Sequence, residues 1–469
     1  MLMVLALMVA VAAAGLAVYV HSAVSARPSA AAVQTARPAK LLPTRSATYP
    51  LKVGPTGRYL VDRDGRPFLI VGDSPQALIA RLSVKEAAYF FANRQAAGFN
   101  SVWINLLCND YTGGRPDGTT YDRVAPFTKP GDLSTPNPAY FARVDAMIRL
   151  AAKHRLAVFL DPIETGGWLK VLQRNGVAKA YDYGRYLGRR YRRDPNIVWL
   201  NGNDFQTWRH PGDDAVVLAV ANGIRSVDPR ALQTVELNYL TSASLDDPRW
   251  RGIVGLDAAY TYAPTYAEVL KEYHRRDHLP VFMVEASYEG EHNPGAAEGT
   301  PLQLRMQEYW TMLSGATGQF YGNKYTWQFV RGWPSHLDTI GSRQMTLVAN
   351  LFSQRRWFDL VPDSSHRLVV SGYGTYSSSG DGSGNDYVTA ARTADRRLAI
   401  AYVPAGGRVD VDVTRMAGRR VRAQWYDPTS GKYATIQGSP FARRGQRTFT
   451  VPGKNHDGDV DWVLVLTAT

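Results

Sequence analysis

Two apolar runs in the chain end on carboxylates. Ile197-Val198-Trp199-Leu200-Asn201-Gly202-Asn203-Asp204 closes on an aspartate, and Val281-Phe282-Met283-Val284-Glu285 closes on a glutamate. Cleavage of a glycosidic bond needs such a pair. One group protonates the leaving oxygen, and the other attacks the sugar carbon or activates water. Glu285 leaves a wholly apolar stretch and is rigidly held, which suits a nucleophile. Asp204 follows the looser Gly202 segment, which suits an acid/base. The plainer alternative is that Asp204 caps the next helix and Glu285 pairs with an arginine such as Arg305.

The surrounding pattern says what positions them. Eight short apolar runs alternate with longer amphipathic stretches: Phe68–Gly72, Ser101–Leu106, Ala157–Leu160, Ile197–Leu200, Thr234–Leu237, Leu256–Tyr260, Val281–Val284 and Gly318–Tyr321. Helices are expected between them. One spans residues 83–97, where Ser83 and Glu86 form a capping box and Gly98 ends the helix. Another begins at Asn137-Pro138, and further helices fit near 178–193, 214–226, 265–276, 302–314 and 339–354. Strand–helix alternation of this length predicts an α/β fold, a (β/α)8 TIM barrel, with its site at the carboxyl ends of the strands; an open doubly wound sheet is the alternative, but the Gly-rich loop expected after its first strand is missing. Strands four and seven are three apart around such a ring, so their carboxylates can face each other across its mouth.

Every predicted strand end is polar: Asp73, Asn105, Asp161 with Glu164, Asn203 with Asp204, Asn238 with Tyr239, Tyr262, Glu285 and Asn323. Asn105, Asn203, Asn323 and Gln328 could hydrogen-bond sugar hydroxyls, and Asp73 could do so or cap a turn. Tyr260, Tyr262, Tyr288, Tyr321, Tyr325, Trp327 and Trp333 could stack on sugar faces or fill the core.

Beyond the barrel region the texture changes. Residues 1–26 read as a signal peptide or signal anchor, 27–49 as an Ala/Pro-rich linker, 50–362 as the barrel and 363–469 as a small all-β sandwich. Asp64-Gly65 marks a hairpin before the first barrel strand. The Ser/Gly-rich stretch 377–385 reads as a mobile loop. The apolar N-terminus implies export: a secreted or periplasmic protein, or one anchored on the outer face of the cytoplasmic membrane.

Composition narrows the chemistry. The 469 residues carry 54 basic and 41 acidic side chains, a net charge of +13. A basic surface can favour an acidic polysaccharide. No basic block with interleaved aromatics occurs, so nucleic acid is not expected as a partner. One cysteine, Cys108, rules out an intrachain disulfide. No HExxH pair, Gly-x-Ser-x-Gly elbow or Walker loop is present, so no metal and no cofactor are expected. Asp381-Gly382-Ser383-Gly384-Asn385-Asp386 lacks the downstream glutamate of a calcium loop.

Several motifs in order resemble the apiosidase-like glycoside hydrolases, family 140 and its wider relatives. They are Pro67–Asp73, Ala97-Gly98-Phe99-Asn100, Asn137–Phe141, Tyr183–Tyr191, Asn196–Asp204, Val284–Glu289 and Gly315–Asn323. Trp425-Tyr426-Asp427-Pro428 and Asp461-Trp462-Val463-Leu464 resemble the β-sandwich that follows such barrels, a module labelled collagen-binding. The resemblance covers roughly residues 50–469. It implies that Asp204, ending a Gly-Gly-Asp-type motif, is the acid/base and that Glu285 is the nucleophile. It also implies a furanoside such as apiose or arabinofuranose within a plant or microbial polysaccharide, cleaved with retention. Three departures fall near the site. The Gly-Gly-Asp motif reads Gly202-Asn203-Asp204, a His-Pro pair reads Asn238-Tyr239, and a Gly-His pair reads Thr261-Tyr262. Asn203, Asn238 and Tyr262 are therefore expected to touch substrate, and Tyr288 and Trp327 are expected to do so as stacking aromatics. The rival reading is a non-catalytic glycan- or cell-surface-binding protein on a barrel scaffold.

Overall fold

The computed structural model describes residues 47–469. The expected signal or anchor at 1–26 and most of the 27–49 linker lie outside the described residues. Eight parallel strands carry the first part of the chain: β1 (Ile70–Asp73), β2 (Ser101–Asn105), β3 (Ala157–Asp161), β4 (Ile197–Asn201), β5 (Gln233–Val235), β6 (Asp257–Thr261), β7 (Val281–Glu285) and β8 (Gly318–Tyr321). The sheet runs β5-β4-β3-β2-β1-β8-β7-β6, and the short strand Thr241–Ala243 lies antiparallel on the β6 edge. The seam between β5 and β6 is bridged. Gly255 N donates to Gln233 O at 2.9 Å. Ser244 Oγ donates to Val235 O at 2.6 Å and accepts from Ala258 N at 2.9 Å. A side chain thus supplies the link that a shorter β5 leaves open. The sheet curls into the barrel that the eight alternating runs predict.

The helices follow from local signals. Ser83 caps Val84–Ala97 with both capping-box bonds present, and Gly98 ends it in the left-handed region. Asn137 caps Pro138–Lys153 with Pro138 in the first turn. The helix expected near 178–193 is longer, Thr165–Tyr191, and kinks at Gly176, whose φ is 73°. The Asp64-Gly65 hairpin is present, joining Leu60–Val61 to Pro67–Phe68 antiparallel.

Phe159, Phe282, Phe320 and Trp103 fill the barrel interior, so the space beneath the strand ends is packed rather than hollow. A second core wraps one flank and is shared with the C-terminal β-sandwich. Tyr309 of helix Pro301–Leu313 stacks on Tyr402, with ring centroids 4.8 Å apart. Buried Arg305 on the same helix pairs with Asp461 at 2.7 Å and Asp459 at 2.8 Å.

The sandwich has a larger antiparallel sheet built on Thr389–Thr393, Leu398–Val403, Trp462–Ala468 and Arg420–Tyr426. Leu360–Pro362 forms its edge on Thr389–Thr393. A three-stranded sheet of Val369–Ser371, Arg408–Asp412 and Gln446–Thr450 covers the other face. The glycine-rich stretch expected to be mobile is tied down. Ser377 N and Asn385 Nδ2 donate to the Tyr266 hydroxyl at 2.9 and 3.2 Å, and Gln303 Nε2 donates to Asp381 O at 3.2 Å. Tyr266, packed at a tilt against Tyr387, supplies anchors that composition alone does not reveal. Among the described residues, no helix is long and apolar enough to cross a membrane.

Candidate active site

A pocket of about 260 Å³ opens at the carboxyl ends of the barrel strands. Its wall includes Asp204, Glu285, Asn203, Tyr262, Tyr288 and Trp327 from the expected residues. Asp204 reaches it by an unusual path. Gly202 turns with φ 74°, and Asp204 itself stands at φ 50°. A Cβ on Gly202 would lie 2.9 Å from Glu236 O, so this turn admits only glycine. Asp204 N donates to buried Glu236 Oε2 at 3.1 Å, and Asn203 Nδ2 donates to the same oxygen at 3.2 Å. These bonds hold the strained turn.

Glu285 is the last residue of β7, and among the described residues no cation pairs with it. It accepts from three phenols: Tyr262 on Oε1 at 2.8 Å, Tyr288 on Oε2 at 2.8 Å and Tyr260 on Oε1 at 3.1 Å. Tyr288 can lie there because Gly322 has no side chain; a Cβ on Gly322 would meet the Tyr288 ring at 2.3 Å. Gln76 Nε2 donates to the Tyr288 hydroxyl at 2.9 Å, leaving the phenol proton for Glu285.

Tyr260 also touches Asp204 Oδ1 at 2.8 Å, and Tyr111 donates to Asp204 Oδ2. One phenol oxygen therefore lies between the two carboxyls, which brings Asp204 Oδ1 and Glu285 Oε1 within about 6 Å of each other. A phenol has one proton to give. When Tyr260 donates to one carboxyl, its other contact is a hydrogen bond only if the second carboxyl is protonated and donates in turn. The geometry thus suits a pair that holds one proton.

The electrostatics agree. Burial, then the nearby Asp204 charge, pushes Glu285 up to about 8, while the Tyr262 and Tyr288 hydroxyls pull it back. Burial raises Asp204 as well, against the Tyr111 and Tyr260 donors. Glu236 is fully buried, and burial followed by the Glu285 and Asp204 charges pushes it far above the carboxylate range. Burial thus favours its neutral form. Its Oε1 has no partner among the described residues.

The two plainer roles are not what the structure displays. Helix Pro211–Val227 has His210 at its N-cap, so Asp204 does not cap it. Arg305 pairs with sandwich aspartates and not with Glu285.

Four expected contact residues are not brought to the pocket. Asp73 is buried and paired with Arg94 at 3.2 Å. Asn105 is buried beneath the site and donates to Asn203 Oδ1 at 3.4 Å. Asn238 accepts from Trp208 Nε1 at 2.7 Å and Arg209 at 3.2 Å. Asn323 donates to the Tyr321 hydroxyl at 3.1 Å and accepts from Tyr325 N at 2.8 Å. The three asparagine amides organise the loops under and around the pocket. Of the other aromatics, Tyr325 stacks on His336 and Trp333 packs on Phe90 and Phe329.

Sequence reasoning missed Glu236, Tyr111, Glu291 and Asn293. Glu236 follows β5 inside the apolar run Thr234–Leu237, and a charged residue inside such a run was the available signal. Tyr111, Glu291 and Asn293 sit in long loops, where periodicity carries no information.

A family model described as "Apiosidase-like, catalytic domain" matches residues 55–359, and one described as "Putative collagen-binding domain of a collagenase" matches 377–467. A crystal structure of a glycoside hydrolase family 5 protein from Bacteroides vulgatus aligns with TM-score 0.77 and 22% identity, over 89% of this chain and 93% of that one. A second solved glycoside hydrolase aligns with TM-score 0.78 and 22% identity, over 90% and 97%. Among curated proteins none matches the chain.

Proposed function

The chain belongs to the apiosidase-like family of glycoside hydrolases, and we propose that it is an exported enzyme that removes a terminal furanoside, such as apiose or arabinofuranose, from a polysaccharide with retention of configuration. The observation that carries this reading is the single Tyr260 hydroxyl lying between Asp204 and Glu285. Carboxyls about 5–5.5 Å apart serve a covalent double displacement, whereas about 6.5–9.5 Å leaves room for an inverting water. With their nearest oxygens within about 6 Å through Tyr260, the pair suits the first.

The donors assign the roles. Apart from the one Tyr260 proton, Glu285 accepts from two phenols, Tyr262 and Tyr288, and Asp204 from one, Tyr111, so the anion is better supported on Glu285. In the reactive form the pair's one proton rests on Asp204, which donates to the Tyr260 oxygen while Tyr260 donates to Glu285. Glu285 attacks the anomeric carbon as Asp204 protonates the departing oxygen. A glycosyl ester on Glu285 forms and the alcohol leaves. Asp204, now ionised, takes a proton from water, which attacks the same carbon and frees Glu285.

A pocket of about 260 Å³ sits just below the usual ligand range of about 300–1,000 Å³, which suits one or two sugar rings and hence removal of a chain end. Export rests on the apolar N-terminus, and the furanoside on the family. The test is sugar release from a panel of pectins, arabinans and galactofuranans by wild type, Asp204→Asn and Glu285→Gln. Release by wild type and its loss in both variants is expected. Unchanged release by the variants contradicts the assignment.

A further inference from the structure

The charge of the pocket runs opposite to that of the chain. The protein carries +13 overall, yet the pocket lining holds three carboxyls, Asp204, Glu285 and Glu291, and no lysine, arginine or histidine. Two of the carboxyls belong to the reaction. Glu291 does not, and nothing in the chemistry above uses it.

Glu291 lies on the loop between β7 and helix Pro301–Leu313. That loop is pinned rather than free. Gly290 N donates to Gly299 O at 2.9 Å, Gly299 N donates to Glu291 O at 2.7 Å, and a Cβ on Gly299 would lie 1.8 Å from Tyr288 O. The Glu291 side chain is fixed too. Trp327 Nε1 donates to Oε1 at 2.6 Å, and Asn293 Nδ2 approaches Oε2 at 3.4 Å. Both partners are neutral. Exposed Lys324 acts on it at longer range but is not in the pocket wall. Burial raises Glu291, and its charge in turn raises Glu285, so the two face one space.

A carboxylate has about four acceptor sites, and these two donors leave room for more. A sugar offers adjacent hydroxyls that can fill them. Trp327 is fixed by the same bond and adds an apolar wall beside those hydroxyls. A sugar bearing its own carboxylate would bring a further negative charge into this space with no cation to meet it.

We propose that Glu291 is a sugar-binding carboxylate and that the pocket it forms with Asp204 and Glu285 accepts an uncharged terminal sugar and rejects uronic acids. This rests on the glycosidase reading above and assigns to Glu291 the exclusion of acidic sugars from that same site. The basic surface expected to suit an acidic polysaccharide can still meet one, but the sugar that enters the pocket is neutral.

Two measurements test it. In the first, the intact protein acts on pectic oligosaccharides before and after chemical reduction of their uronic acids to neutral sugars, and each released monosaccharide is identified. Neutral sugars should be released at least about a hundredfold more efficiently than any uronic acid, two decades of discrimination. Release of a uronic acid at a comparable rate overturns the inference while leaving the glycosidase reading intact. Release of no sugar at all contradicts the glycosidase reading instead, and the second measurement then decides the inference alone.

That measurement is binding of methyl glycosides and the matching methyl uronides to the Glu285→Gln protein, followed by tryptophan fluorescence or ligand-observed NMR. A neutral glycoside should bind more tightly than its uronide, and Glu291→Gln in the same background should narrow the difference at least tenfold without changing the melting temperature. Equal binding of both, binding of neither, or no effect of Glu291→Gln overturns the proposal.

Discussion

Asp204 and Glu285 meet through one hydroxyl: the Tyr260 oxygen is 2.8 Å from the first carboxyl and 3.1 Å from the second. Strands β4 and β7 bring the carboxyls across the barrel mouth, and β6 between β5 and β7 supplies the phenol. The pair can hold one proton, with the other site ionised, and double displacement needs that state at its start.

Removing either carboxyl should therefore stop turnover in different ways. Glu285→Gln abolishes it. Asp204→Asn slows it by about 10²–10⁴-fold, the usual contribution of a general acid. Substrates with a good leaving group should recover much of the Asp204→Asn loss and none of the Glu285→Gln loss, read from steady-state rates on activated and unactivated glycosides.

The phenols around Glu285 should set the pH dependence. Tyr262 and Tyr288 donate to the ionised form and pull its titration downward. Tyr262→Phe or Tyr288→Phe then moves the acidic limb of the kcat/KM profile toward higher pH and lowers the rate at neutral pH by about tenfold, one step of about 1.4 kcal/mol. A limb that stays in place contradicts the role given to these donors.

Stability should depend on pH in a definite direction. The Asp204–Glu285 pair keeps its one proton up to about 8 in the fold, against 4.5 for an ordinary glutamate. The native state binds more protons between these values, so stability falls as pH rises through that window and levels off above it. Glu285→Gln removes this loss. Thermal melting should show the variant more stable than wild type near pH 9, by on the order of a few kcal/mol, and little different below about pH 4.5.

Glu236 should behave as a positioning residue held neutral. Its Oε2 receives Asp204 N and Asn203 Nδ2. Glu236→Gln keeps an acceptor there and carries no charge, so kcat should change by less than about tenfold, within one step of about 1.4 kcal/mol. Glu236→Ala releases the Asp204 turn and should lower kcat by about a hundredfold, roughly 3 kcal/mol in the barrier. Equal losses in the two variants contradict the positioning role.

Gly202→Ala tests the turn itself. The residue adopts φ 74° and its Cβ would meet Glu236 O at 2.9 Å. A destabilisation above about 1 kcal/mol is expected from the backbone conformation alone, with more from the contact. Denaturant unfolding of the variant measures it.

The eight barrel strands were legible in the sequence because each is a short apolar run bounded by polar ends. Asp204 and Glu285 were legible because they stop such runs. The supporting residues were not. Tyr260 was legible only as an aromatic for stacking or the core, and the inward alternation of β6 is what turns its hydroxyl to the two carboxyls. Glu236 was hidden by the apolar neighbours that make it neutral. Asp73, Asn105, Asn238 and Asn323 end strands like the pocket residues do, but Arg94, Asn203, Trp208 and Tyr321 engage them first. A strand end fixes which way a side chain can point, and loop partners decide whether it stays free.

The most direct test of the central claim is mass spectrometry of the protein after reaction with an activated 2-fluoro glycoside of the sugar that wild type releases. Such a reagent glycosylates the nucleophile and hydrolyses slowly. The account predicts a single glycosyl adduct on Glu285. An adduct on Asp204 or elsewhere, or turnover of the reagent with inverted configuration and no adduct, contradicts it.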